Sequence, residues 1–316
     1  MTLRKSQTGP QISGQKSKGV DFIWIVIFLT PFLLFYTAFT LWPLASTVYY
    51  SFFEWDGIKP LENFVGWQNY WSIIQDPVFW LAFRNTIIFA LGNTIIKLPL
   101  TLLVAVILTR RWLWLKTFFR TLFFSPIIIP VAMAGLVFVL LLNPANGAVN
   151  SALLEWGIIS RPIDFLGHPR LAMVSLILVS VWQIFGQYMV YWMAALQNVP
   201  EELYEAAEID GANEWQKLIY ITLPIIRPVA IIILFLAFVN ALRVFGLVVT
   251  MTSGGPGQST YVVSFFIYNQ AFQEFPFRYG YASAAAVFFA VVMLAVISIQ
   301  GYMVSRAQEE QKLYEM

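Results

Sequence analysis

No cysteine occurs in the 316 residues, histidine occurs once, and charged residues make up only 11%. Without thiols there is no disulfide framework, no thiolate metal site and no cysteine nucleophile. The single histidine, His168, stands beside Pro169 with no carboxylate at motif spacing, so an imidazole-based acid–base pair lacks its second member. HExxH and GxSxG are absent, and no apolar segment holds a pair of acids; a hydrolase or metalloprotease constellation is therefore missing. A soluble domain carries about 25% charged residues. This chain has less than half of that, is 59% hydrophobic, and has a mean hydropathy of +0.70. Such a composition belongs to a polytopic membrane protein. The net charge of +2 is too small to point to nucleic acid.

What the sequence does contain is apolar length. Six segments, each of 21 to 26 residues, are long enough to cross about 30 Å of hydrocarbon. They are Phe22–Leu44, Ile87–Leu108, Leu122–Leu142, Leu171–Leu196, Val229–Met251 and Ala282–Met303. Pro31, Pro99, Pro126 and Pro130 should kink or bound the first three, which neighbouring helices tolerate inside a bundle. Residues 1–21 read as a polar tail without a cleavage site after the first apolar run, so that run is expected to be a retained span. Within the tail, Gly9 to Ser17 is a near miss for a phosphate-binding loop; Gln15 separates Gly14 from Lys16, and no strand precedes it.

Orientation follows from Lys and Arg near the segment ends. With the N-terminus inside, twelve fall on the inner side, among them Arg4, Lys5, Lys16, Arg110, Arg111, Lys217 and Arg227. Five fall outside: Lys59, Arg84, Arg161, Arg170 and Arg278. Lys97 and Arg243 remain within spans. The expectation is an all-α polytopic membrane protein with six transmembrane helices and both termini cytoplasmic. Its parts are a tail at 1–21, a transmembrane domain at 22–304 and a second tail at 305–316.

The longest polar interruption in the second half, residues 198–228, lies on the inner side. Asn198, Pro200, Glu201 and Glu202 suit a helix start. Leu203, Ala206 and Ala207 share one face, with Glu201, Glu205 and Glu208 opposite. Asp210-Gly211 ends that helix, because glycine accepts the left-handed backbone of a helix terminus. Asn213 with Gln216 can cap a second short helix, expected to carry Trp215, Leu218 and Ile219 inward. The result is a helix–turn–helix bracket.

Glu205-Ala206-Ala207, three residues, Gly211, nine residues, Ile221, one residue, Leu223-Pro224 resembles the EAA signature of ABC importer permeases of the carbohydrate-uptake branch. Phe64 to Tyr70, the Gly254-Gly255-Pro256 loop and Gly280 to Ala284 also look like that family, so the resemblance spans nearly everything but the tails. It implies that Glu205, Ala206, Ala207, Asp210, Gly211 and Ala212 couple to an ATPase subunit. It also implies that Gly254, Gly255 and Pro256 face an extracytoplasmic substrate-binding protein. The implied partners are two ATPase subunits that use ATP with Mg, a second permease (usually a non-identical homologue), the binding protein, a carbohydrate, and the lipid of a bacterial or archaeal cytoplasmic membrane. No cofactor and no metal is expected on this chain, and no catalysis. A secondary carrier or channel would dispense with the ATPase, and an intramembrane enzyme would need a reactive pair that the sequence lacks.

Polar groups within spans mark either a route for substrate or joints between helices, because a lipid-facing polar group is costly. Trp182, Gln183 and Gln187 are candidates on the fourth span, and Asn240 and Arg243 on the fifth. Amides and aromatic rings suit a sugar, whose hydroxyls take hydrogen bonds and whose ring faces stack. Lys97, close to Asn93, is expected to snorkel toward an interface on its four methylenes. Three readings of Arg243 stand: snorkelling, a contact to sugar hydroxyls, or a bidentate grip on an anion.

Overall fold

The computed structural model describes residues 18–109 and 114–314. Most of the expected tail 1–21, including Gly9 to Ser17 and the cations Arg4, Lys5 and Lys16, lies outside the described residues, as do Arg110 and Arg111. Every described element is helical, and among the described residues one bridge of β type joins Phe53 to Phe64.

The chain divides into two compact units, 1–49 and 50–316. In the first, α1 (Lys18–Tyr36) passes through a widened turn at Thr37–Leu41 into α2 (Trp42–Tyr50). Ile23 to Tyr50 form one apolar stretch of 28 residues, with Pro31 inside the helix. Its length and its apolar character on every side fit a span through lipid.

The second unit is built on α4 (Pro77–Thr109), with α8 (Pro169–Leu196) and α11 (Leu223–Leu242) packed against it and α14 (Tyr279–Tyr314) against α11. Helix α4 begins ten residues before the expected Ile87 because its start is well capped: the Asp76 carboxylate accepts from the backbone N–H of Val78 at 2.8 Å. The other oxygen of Asp76 accepts from the Tyr281 hydroxyl at 2.7 Å, which pins α4 to the start of α14. Helix α14 continues past Met303 through most of the expected C-terminal tail. The short helices α3 (Gln68–Gln75), α7 (Ala148–Glu155) and α13 (Val263–Tyr268) lie in the segments that precede α4, α8 and α14.

Two expected spans are not continuous helices. The third is α5 (Lys116–Phe124), a tight turn at Ser125–Ile128, and α6 (Val131–Leu141), bent by 99° between Pro126 and Pro130. The fifth, expected to run from Val229 to Met251, ends at Leu242; α12 (Gly246–Met251) follows after a break at residues 243–245. The reason lies in packing. Helix α12 lies on α6 through glycines: a Cβ on Gly135 would strike the Thr250 side chain, and one on Gly246 would lie 2.9 Å from Val131. Such close approach needs small residues, and the chain must turn at residues 243–245 to reach it. Among the described residues, five helices are long and apolar enough to cross a membrane, with a sixth if the bent pair counts as one.

The interior of this unit has two apolar clusters. One joins Phe79, Phe89, Leu176, Ala241, Val262 and Phe266. The other joins Leu98, Leu108, Met189, Trp192, Ile226 and Ile233. Along α4, α8 and α11 the change from one cluster to the other falls at polar residues: Asn93 and Lys97, Gln183, and Asn240. A polar layer therefore crosses the bundle near mid-depth.

Candidate functional site

The bracket consists of α9 (Glu201–Ile209), α10 (Glu214–Lys217) and a widened turn at Leu218–Thr222 that leads into α11. Pro200, two residues beyond the expected Asn198, occupies the cap position of α9. Gly211 has φ +76°, and nothing lies within 4 Å of the place where its Cβ would be. The amides of Gly211 and Ala212 close the helix end on the carbonyls of Glu208 and Ala207, at 3.1 and 2.9 Å. Asn213 and Gln216 cap each other's backbone at 2.9 and 2.7 Å, the reciprocal arrangement read from the sequence.

The faces of α10 differ from expectation. Trp215 is 66% exposed and Ile219 is half exposed, whereas Lys217 is buried. Its ammonium donates to Glu208 at 2.6 Å and to Glu214 at 3.0 Å, so the carboxylates draw the lysine inward and turn the tryptophan out. This clamp joins α9 to α10. Tyr204 and Thr222 add a hydroxyl pair at 2.8 Å. Glu205, Ala206, Asp210 and Gly211 are exposed, and Ala207 and Ala212 are half-buried. The outer surface thus combines small residues and acids with exposed Ile209, Trp215 and Tyr220.

At the other end of α4 the Gly254-Gly255-Pro256 loop is tied down. Gly254 is buried at φ +79°; a Cβ there would lie 2.7 Å from the Tyr261 ring and 2.8 Å from the Phe265 ring. Asn85 donates to the carbonyls of Gln258 and Tyr261 at 2.9 and 3.1 Å, and the Thr86 hydroxyl accepts from Val263 N–H at 2.9 Å. Thr260 closes the turn onto Gly255 O at 2.7 Å. Gly255 and Pro256 remain half-buried at the surface. Sequence reasoning missed Asn85 and Thr86 because the expected span began at Ile87, which left both outside it.

Of the residues considered for a route, the structure joins some and separates others. Gln187 donates to the Tyr191 hydroxyl at 2.7 Å, Tyr191 meets Tyr188 edge-on at 5.6 Å, and the Tyr188 hydroxyl accepts from Asn240 at 3.0 Å. Arg243, three residues beyond Asn240, caps the C-terminal end of α11 and is exposed; a cation is favourable at that end. Gln183 is buried and donates to the backbone oxygen of Ile129 at the bend between α5 and α6. Trp182 packs edge-on against Phe138 of α6 at 5.1 Å. Gly186 lets the backbone at Phe123 and Phe124 close onto α8. Lys97 does not snorkel. It is fully buried, donates to Asn93 at 2.9 Å and lies 4.0 Å from the Tyr188 ring centre. Periodicity gave no sign of Tyr188 or Ser180, whose partners lie on other helices, whereas Tyr191 meets Gln187 four positions away on its own helix. Among the described residues no three His, Asp or Glu side chains gather as a metal site.

A bundle with a polar layer at mid-depth, a fixed loop at one end and an exposed, internally clamped bracket at the other defines the transmembrane subunit of a transport system. The chain belongs to the family of binding-protein-dependent transport system inner membrane components, whose model matches residues 97–309. It is thus a permease component and lies outside the enzyme families. It is 33% identical to the probable ABC transporter permease protein YurN of Bacillus subtilis, over 90% of this chain and 97% of that one. It is 31% identical to the lactose transport system permease protein LacF of Rhizobium radiobacter, over 90% and 94%. Among solved structures, a chain of a bacterial ABC transporter involved in the import of the acidic polysaccharide alginate matches with a TM-score of 0.79 and 25% identity, over 92% of this chain and 98% of that one.

Proposed function

We propose that the chain forms, with a second and non-identical permease, the translocation pathway of an importer for a sugar or related polyol. Two ATPase subunits, using ATP with Mg, drive it from the cytoplasm, and an extracytoplasmic binding protein delivers the substrate. The termini and the bracket are cytoplasmic in this reading. Glu205, Ala206, Ala207, Asp210, Gly211 and Ala212 form the surface that the ATPase grips. Gly254, Gly255 and Pro256 face the binding protein. Gln187, Asn240 and Arg243 line the route, with Trp182 and Gln183 holding the adjoining bend. Relatives named for lactose, arabinooligosaccharides and diacetylchitobiose support a saccharide as cargo.

The observation that carries the reading is the bracket. Apolar Ile209, Trp215 and Tyr220 are exposed on an element that is otherwise capped and clamped and that lies within the residues matched by the family model. Patches of that kind mark protein interfaces. The test is binding-protein-dependent uptake of labelled lactose and other neutral oligosaccharides into vesicles holding the complete complex, with and without ATP inside. Glu205→Lys, a surface change expected to alter stability by only about 0.5 kcal/mol, should abolish uptake while the subunit stays in the membrane. Uptake without the ATPase would establish a carrier instead. Orientation is read by cysteine labelling in intact cells: Lys59→Cys should react and Asn213→Cys should not. The Lys59 side chain is 82% exposed, which suits it to labelling.

A further inference from the structure

Lys97 places a cation in the middle of the bundle with zero exposure and, among the described residues, no carboxylate within reach. A methionine would fill the same volume without the cost of desolvating an ammonium. The surroundings show what the charge does. The ammonium can only donate, so it turns the carbonyl of Asn93 toward itself, at 2.9 Å. The Asn93 NH2 is thereby directed to the Ser180 hydroxyl at 3.0 Å. On its other side the ammonium lies 4.0 Å from the Tyr188 ring centre, which holds the ring electrostatically. Tyr188 is itself fully buried, and its hydroxyl oxygen accepts from the Asn240 NH2 at 3.0 Å. Asn240 is the exposed end of this string, which crosses α4, α8 and α11.

We propose that Lys97 is a positioning residue for the route. By holding Tyr188 it fixes the amide of Asn240, nitrogen inward and Oδ1 outward. Gln187 is anchored in the same sense: its Nε2 is held by the Tyr191 hydroxyl at 2.7 Å, which leaves Oε1 outward. The wall therefore presents two carbonyl acceptors. Acceptors bind the hydroxyl groups of a neutral saccharide and offer nothing to a carboxylate or sulfate oxygen. This rests on the reading of Asn240 as a residue of the route, and it assigns that stretch to hydroxyl donors.

The experiment uses the complete transporter in vesicles, with radiolabelled lactose, maltose and cellobiose as probes and alginate oligomers as the acidic comparison. Asn240→Leu alone tests the route and should raise the half-saturation concentration for uptake. Lys97→Met should raise it about tenfold, the effect of one lost hydrogen bond, while the subunit stays folded and in the membrane. Combined with Asn240→Leu, Lys97→Met should add almost nothing, because both changes remove the same oriented amide. Tyr188→Phe keeps the ring and removes only the oxygen. It should reproduce both results and decides the matter should Lys97→Met fail to fold. Multiplicative effects, or an unchanged half-saturation in folded Lys97→Met, would overturn the positioning role while leaving the route intact. A neutral Asn240→Leu would remove the route and the proposal together. Uptake confined to the alginate oligomers would overturn the acceptor assignment.

Discussion

Two interruptions of the apolar chain, the loop from Thr252 to Tyr279 and the bracket from Glu201 to Thr222, solve opposite problems. The loop is sewn into the bundle: Thr260, Tyr261, Val262, Val263 and Phe266 are buried, and α4 supplies Asn85 and Thr86 to hold its backbone. The bracket is held mainly by its own bonds, among them the Lys217 clamp, the Asn213 cap and the Tyr204–Thr222 pair, and it leaves most of its surface open. Both contain a glycine with positive φ, Gly254 at +79° and Gly211 at +76°. The same backbone requirement therefore sits in a crowded site and in an open one. A segment fixed by the bundle keeps its shape because the core does. A segment fixed by itself keeps its shape while the core moves.

Matched substitutions can break this contrast. Gly254→Val forces an unfavourable backbone and drives a side chain against Tyr261 and Phe265; strain and overpacking together should destabilise the protein by about 3 kcal/mol or more. A large drop in the unfolding midpoint of the purified protein is the expected readout, and an unchanged midpoint would show that the loop is not fixed by the core. Gly211→Val meets no neighbours and should lose only the backbone term, roughly 1–3 kcal/mol. Its damage should appear as lost ATP-coupled uptake, with the subunit still in the membrane. Equal midpoint losses at the two glycines would erase the difference between the regions. The smallest effect is expected for Asn213→Ala, which removes one half of a reciprocal cap worth about 1 kcal/mol. Amide exchange should quicken at Gln216 and its neighbours in α10 and stay slow in α4 and α8. Faster exchange throughout the bundle would mean that the bracket and core share one cooperative unit.

The sequence made the bracket legible because its determinants are local. Asn213 and Gln216 are three positions apart, and Gly211 follows its helix directly. The facing of α10 was not legible, since the burial of Lys217 depends on Glu208, nine positions earlier and across a turn. Hydropathy averaged over a window passed through Arg243, because one cation among apolar neighbours hardly lowers the mean. The break there comes from the glycine contacts of α12 with α6, which lie far apart in the chain. Similarly, Asn93 meets Ser180 across 87 positions and Asn240 meets Tyr188 across 52, pairings that no helical periodicity can encode.

The division of the interior into two apolar clusters with polar residues at their junction bears on how such a bundle can move. Interdigitated apolar side chains resist sliding, since any shift opens voids or causes overlap. Hydrogen-bonded side chains can exchange one partner for another over a short displacement, as helices do when they shear in domain closure. Helices α4, α8 and α11 run unbroken through the level of Asn93, Lys97, Tyr188 and Asn240, so a shear there would move one helix along another, each as a rigid rod.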